Sequence, residues 1–159
     1  MINYMSKIKK ITIWIIIIIV AGLLLNFLLA YIGSYLCKND VIETKNSPDG
    51  TKKAVAFTRD CGATTDWSTQ ASVININDTI TDRDVGNVIR IDSDHGKAWP
   101  IALGGWPIII TKWEISNILN IYYSKGVSIL LQNKEIDGVQ IEYSTITTEF
   151  IQSEGLQVR

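Results

Sequence analysis

The chain has 159 residues, 47% hydrophobic and 19% charged, with 15 basic and 16 acidic side chains and a formal charge of −1. That balance is uneven along the chain. Lys7, Lys9 and Lys10 precede every acidic residue, whereas the part after residue 37 carries 12 basic against 16 acidic groups, a net −4. An acidic domain argues against nucleic-acid binding, which wants a basic face. The single histidine, His95, excludes any mechanism or metal site that takes two histidines from one chain.

Residues 11–36 are an uninterrupted run of 26 residues without a charged side chain, including five consecutive isoleucines at positions 15 to 19. As a helix such a run covers about 39 Å, enough for a hydrocarbon core of about 30 Å. A helix is expected because backbone polar groups find no other partners in lipid. The three lysines before the run and the mixed charges after it predict a cytoplasmic stub at 1–10, a transmembrane helix at 11–36 and an external C-terminal domain. Trp14, Tyr31 and Tyr35 stand where interfacial aromatic belts form. The alternatives are a cleaved signal peptide and a lipoprotein acylated at Cys37. Signal peptides have a shorter apolar region, about 7–15 residues, and a small-residue cleavage site; a lipobox wants a small residue where Leu36 stands.

Gly22, Asn26, Ala30 and Ser34 recur every four residues and share one helix face. Small residues let helices approach closely, and an intramembrane Asn can bond across the contact. This face predicts self-association or a membrane partner, against the plain alternative that a long apolar run holds some small residues by chance.

Cys37 and Cys61 are the two cysteines, both expected in an oxidising compartment. A bond between them would close a loop of about 25 residues and contribute about 3–4 kcal/mol in the loop-entropy picture. Free thiols, or a reactive Cys61, are the alternatives.

The external part reads as β-structure. Residues 41–46 and 52–58 form strands joined through Ser47-Pro48-Asp49-Gly50, a turn sequence. Residues 59–66 break the pattern. Residues 67–76 follow as a central strand, since neither face is purely polar. Further strands are expected at 87–91 (opened by Gly86), 108–113, 118–123, 127–131 and 139–143. Loops occupy 77–85 and 92–97, an irregular stretch occupies 100–107, and a turn lies at 134–138. Residues 145–159 would be a last strand or a loose tail. Strands of this length with regular turns make residues 38–144 an all-β domain, an antiparallel sandwich or small barrel.

Chemistry is most concentrated at Arg59, Asp60, Cys61, Gly62, Thr64 and Thr65. A thiol beside an arginine can have a lowered pKa, and threonines with exposed loop amides can hold an anion. A catalytic cysteine needs a base, and His95 is the one candidate. The alternative is a loop fixed by a disulfide, with Arg59 and Asp60 pairing or capping; no catalytic residue is assigned. Asp82-x-Asp84-x-Gly86 and Asp92-x-Asp94-x-Gly96 each match part of a calcium loop but lack its other ligands. Neither metal nor cofactor is therefore expected. Trp99, Trp106, Trp113, Tyr122 and Tyr123 suit either a ligand groove or a core, and Asn77-Asp78-Thr79 is a glycosylation sequon.

Ser47-Pro48-Asp49-Gly50, Arg59-Asp60-Cys61-Gly62-Ala63-Thr64-Thr65, Ser68-Thr69-Gln70, Gly86-Asn87-Val88 and Asp94-His95-Gly96 together resemble an uncharacterised family of small bacterial membrane-anchored or exported proteins with an Arg-Asp-Cys-Gly-Ala-Thr-Thr signature. Trp113, Leu119-Asn120-Ile121-Tyr122 and Val139-Gln140-Ile141-Glu142-Tyr143 extend the likeness over residues 37–143. Members also carry a cysteine at the position of Cys37, which implies pairing with Cys61. Where members commonly have Gly and Phe after the two threonines, this chain has Asp66 and Trp67. The resemblance implies no activity. It implies a bacterial inner (cytoplasmic) membrane location, single pass, with the domain periplasmic or extracellular. The leading expectation is a tethered binding or structural module at the cell envelope, with an envelope protein or a second copy as partner. The alternatives are an envelope enzyme or thiol-dependent protein using Cys61 with Arg59 and His95, and a membrane-tethered immunity or inhibitor protein.

Overall fold

The structure is a computed structural model that describes residues 2–34, 37–62 and 68–158. The chain divides into two compact units, Met1–Leu36 and Cys37–Arg159.

The first unit is helix α1, Ile2–Ser34. It begins well before the apolar run because lysines and other straight-chain residues are good helix formers and no Gly or Pro stops them. Its segment Thr12–Leu29 is long and apolar enough to cross a bilayer, as an anchor or as a signal sequence. Within the four-residue repeat, Asn26 Nδ2 donates to the Gly22 carbonyl at 2.9 Å. One donor of that amide is thus satisfied inside its own helix. The side chains of Ala30 and Ser34 lie outside the described residues.

The second unit is all-β apart from one short helix. Strand β1 (Lys38–Asn46) pairs antiparallel with β2 (Lys52–Asp60), which pairs with β3 (Ser68–Asn75). The β1–β2 turn is held by side chains: Ser47 Oγ donates to Asp49 Oδ1 at 2.6 Å, and Thr51 Oγ1 donates to Asp49 Oδ2 at 2.9 Å. These bonds, Ser47's foremost, hold the Asp49 carboxyl below its ordinary pKa. Gly50 supplies the positive φ of 68° that the turn requires.

Strand β3 is central, as its two-sided pattern predicts. It pairs with β4 (Ile89–Asp92), and β4 pairs with β7 (Ser128–Gln132) to complete a five-stranded sheet. The other sheet has four strands: β5 (Ile109–Ile115), β6 (Ile118–Tyr123), β9 (Val139–Thr145) and the two-residue β8 (Glu135–Ile136). One pairing departs from the antiparallel rule. After β6 the chain crosses to the first sheet for β7 and returns, so β9 lies parallel to β6. Nothing in the alternation of Val139 to Tyr143 distinguishes a parallel neighbour from an antiparallel one.

The sheets face each other through the alanines of β2 and β3, set among larger aliphatic residues of both sheets. Ala54, Ala56 and Ala71 with Val73, Ile89 and Ile91 meet Ile109, Leu119, Ile121, Val139 and Ile141, all buried in one cluster. Alternating volumes of this kind let two sheets pack without voids.

Polar clasps tie the two open sides of the sandwich. On one side a register shift between Val41 and Glu43 of β1 re-aims the strand, as bulges do. The Glu43 carboxylate accepts from Thr111 N at 3.3 Å and Thr111 Oγ1 at 3.2 Å, and Trp113 Nε1 donates to the Lys45 carbonyl at 2.9 Å. On the other side the Tyr143 hydroxyl of β9 reaches the Val88 and Asn133 carbonyls, at the ends of β4 and β7.

Residues 145–159 are neither strand nor loose tail throughout. Strand β9 runs to Thr145, and Thr148–Glu154 is helix α2, capped by the Thr147 side chain, which accepts from Phe150 N at 3.2 Å, and closed by Gly155 at φ 62°. Seven residues make barely two turns, too few to show a helical period. Phe150 stacks on Tyr122 with ring centroids 4.4 Å apart, fastening α2 to the outer face of β6. The aromatic residues do not form one groove. Trp113, Tyr123 and Tyr143 pack against the core, Tyr122 meets α2, and Trp99 lies under the Lys125 ammonium.

Burial, then the neighbouring Tyr123, raises the Tyr143 pKa above its ordinary value. The neutral phenol is the form the fold stabilises, so this contribution is complete below the unfolded value of about 10 and is lost as pH rises above it. Tyr143→Phe is expected to cost about 1–2 kcal/mol at neutral pH and to flatten the alkaline fall in stability. Urea unfolding at pH 7 and above pH 10 checks both.

Candidate functional site

The register of the first hairpin places Asn39 opposite Arg59. Both side chains turn to the outer face of the five-stranded sheet, where residues 76–86 cross as a strap. The Arg59 Nη1 donates to Asn39 Oδ1 at 2.9 Å, to the Asp82 carbonyl at 3.0 Å and to the Asp84 carbonyl at 2.9 Å. Asn39 Nδ2 donates to the Thr81 and Asp84 carbonyls at 2.7 and 2.8 Å, and Asn39 N donates to Asp82 Oδ1 at 2.8 Å. A guanidinium suits this task because it has several donors fixed in one plane. Burial pulls the Arg59 pKa down, and the Asp82 and Asp84 carboxylates oppose that shift.

The aspartates of the first partial calcium loop are therefore engaged in building the strap. Asp84 Oδ2 accepts from Thr81 N at 2.6 Å and Thr81 Oγ1 at 2.8 Å. At the strap's far end Gly86 N donates to Gln70 Oε1 at 2.7 Å. A Cβ on Gly86 would lie 2.9 Å from both the Gln70 Cβ and the Ile89 carbonyl oxygen, so only glycine fits without movement. Next to it, Asn87 uses Oδ1 and Nδ2 to pair with Val73 N and Val73 O, both at 2.9 Å. That side chain occupies the ladder position beside β3, which is why β4 begins at Ile89 and not at Asn87.

The Arg-Asp-Cys-Gly segment is structural at each described residue. Arg59 holds the strap. Asp60 Oδ1 accepts from Gly62 N at 2.8 Å, an Asx turn. Cys61 is bonded to Cys37, which joins the entry of β1 to the exit of β2. Gly62 has φ 98°. Thr64 and Thr65 lie outside the described residues, as do Asp66 and Trp67. With Cys61 in a disulfide, the thiolate nucleophile considered for it is absent from this form.

His95 is exposed on the turn after β4. Asp94, His95 and Gly96 there have φ of 44°, 57° and 84°, a short left-handed stretch closed by bonds from Gly96 N and Lys97 N to the Ser93 carbonyl. The second partial calcium loop is likewise engaged: Asp92 Oδ1 accepts from Asp94 N at 2.9 Å, and Asp94 Oδ2 pairs with Lys97 Nζ at 2.8 Å. Among the described residues no group of three or more potential metal-binding His, Cys, Asp or Glu side chains is present.

Beside the strap, the outer face forms an open depression of about 360 Å³. Arg59, Ser68, Gln70, Arg90 and Asp92 supply its polar wall, and Val85 and Leu130 its apolar one; the Cys61 residue lies at its edge. His95 does not line it. Arg59 and Cys61 are thus brought to one surface, joined from β4 by Asp92, a residue of the second partial calcium loop, and by Arg90, which the sequence does not single out. The sign of Arg90 in the sequence is a charged residue between Ile89 and Ile91 in an otherwise buried strand.

A family profile described as "Family of unknown function (DUF5412)" matches residues 5–86, and the chain belongs to that family. The matched stretch takes in most of α1, both cysteines, β1 to β3 and the strap. No curated protein and no solved structure matches the chain.

Arg59→Met keeps most of the aliphatic stem and removes the donors to the strap. It is expected to cost about 2–3 kcal/mol and to speed amide exchange at residues 81–86 ahead of the core strands, read by hydrogen-exchange mass spectrometry. Reducing the Cys37–Cys61 bond, which spans 24 residues, is expected to lower stability by about 3–4 kcal/mol, measured as a shift in urea midpoint.

Proposed function

We propose that this family member is a single-pass protein of a bacterial cytoplasmic membrane whose β domain works outside the cytoplasm as a tethered binding module. The observation that carries the reading is the disulfide of Cys37 and Cys61, just after an apolar helix. A bond between cysteines persists in an oxidising space. A helix apolar on every face wants lipid around it, and the uncharged stretch 11–36 supplies that helix. Lys7, Lys9 and Lys10 before it favour an N-terminus held inside. In this reading α1 is an uncleaved signal anchor, and the Gly22, Asn26, Ala30 and Ser34 face offers a contact for a second copy or a membrane partner.

Binding is favoured over catalysis because the chemistry-bearing segment is spent on architecture. Arg59, Asp60 and Cys61 each hold a neighbour in place, and His95 stands on a separate turn. What the outer face offers is a shallow, charged and partly apolar depression on a rigid sheet, the form of a recognition surface. Arg59, Asp60 and Cys61 are, on this view, the residues that keep that surface in shape.

Reporter fusions after Arg159 test the topology. Alkaline phosphatase is expected to be active and green fluorescent protein dark in intact bacteria. A fluorescent, phosphatase-inactive pair of fusions would put the domain in the cytosol and remove the proposal.

A further inference from the structure

The outer-face depression contains a group that its own fold leaves unanswered. Among the described residues, Arg90 Nε is a buried side-chain donor with no hydrogen-bond partner in the protein. Its neighbours are committed. Gln70 takes the Gly86 amide on Oε1 and donates to Ser68 Oγ from Nε2 at 3.2 Å, Asp92 Oδ1 holds the Asp94 amide, and Arg59 Nη1 is turned to the strap. A buried donor without an acceptor is costly, most of all on a charged group. Nε itself is enclosed, but the Arg90 side chain lines the depression, and an acceptor from outside meets the guanidinium from that side.

We propose that this depression binds a carboxylate carried on a small apolar body, with Arg90 as its anchor. The inference rests on the binding-module reading and names the ligand chemistry. A guanidinium pairs best with a planar anion that offers two oxygens. Arg59 faces the Asp82 and Asp84 carboxylates of the strap, which leaves Arg90 as the cation of the wall beside Asp92; a single guanidinium complements a monoanion, and the nearby carboxylates disfavour a phosphate dianion. Val85 and Leu130 form the rest of the wall, and Leu130 is 60% exposed, so an aliphatic group beside the carboxylate has apolar surface to cover. At about 360 Å³ the site suits a compound of amino-acid size, either free or as the end of a longer chain.

The test uses the full chain in lipid nanodiscs and titration calorimetry with N-acetyl-leucine. Saturable binding is expected for wild type, about tenfold weaker for Arg90→Met, as the loss of one charge-assisted pair implies, and unchanged for Lys134→Met on the exposed surface. N-acetyl-leucinamide, which lacks the carboxylate, is expected not to bind. A short peptide ending in leucine separates the two sources: equal affinity means that only the terminal group is read, and tighter binding means that neighbouring surface takes part. Absence of N-acetyl-leucine binding to wild type would overturn the proposal, as would equal affinity in Arg90→Met or tighter binding of inorganic phosphate. Should Arg90→Met fail to fold, Arg90→Lys decides, since it keeps the charge and loses the fork; undiminished binding there also overturns the assignment. Neither outcome bears on the reporter fusions, which are independent of Arg90.

Discussion

One guanidinium nitrogen, Arg59 Nη1, faces three oxygen acceptors, two of them backbone carbonyls of a segment more than twenty residues along the chain. Those carbonyls belong to a turn with no sheet neighbour, so without Arg59 and Asn39 they would have to find water. By holding them, the pair converts residues 76–86 from a loop into a strap across the outer face of the first sheet. Val55 and Phe57 of β2 are buried although they point away from the core. A strand buried on both faces is otherwise the mark of a sheet covered by two layers, and the strap lies on that outer face, bonded to Gln70 of β3.

The same economy recurs at the open sides of the sandwich. Edge strands carry unpaired backbone groups that invite association. Glu43 answers the Thr111 amide, Trp113 answers the Lys45 carbonyl, and Tyr143 answers Val88 and Asn133. The first two are side chains standing in for a missing strand, while Tyr143 adds a bond at the Val88 carbonyl, which already takes the Asn133 amide. The disulfide adds a covalent tie where β1 enters and β2 leaves. The first sheet is therefore clasped at both margins and covered in part on its outer face, and the depression beside the strap is bounded by elements that cannot shift independently. A surface with that rigidity has little conformational entropy left to lose.

A family of unknown function, an apolar helix and a clasped β domain set the frame within which Arg90 becomes informative. Arg59, Asp60 and Cys61 are partnered within the fold, whereas the orphan donor is on β4, beyond the matched stretch of residues 5–86.

Much is legible in the sequence alone. A charge-free run at 11–36 can only be satisfied as a helix in apolar surroundings, and alternation with Gly and Pro punctuation makes the remainder β, because both signals are local. The bond of Cys37 to Cys61 was open to three readings in the sequence, and proximity in the fold decided it. Thr148–Glu154 could not be read as helix because seven residues hold too little period. The β6–β9 pairing could not be read as parallel because side chains alternate alike in either direction. The fate of Arg59, Asp82, Asp84 and Arg90 was hidden for a different reason: a polar side chain declares what it can bond, and only the folded chain determines which oxygens come within about 3 Å of it.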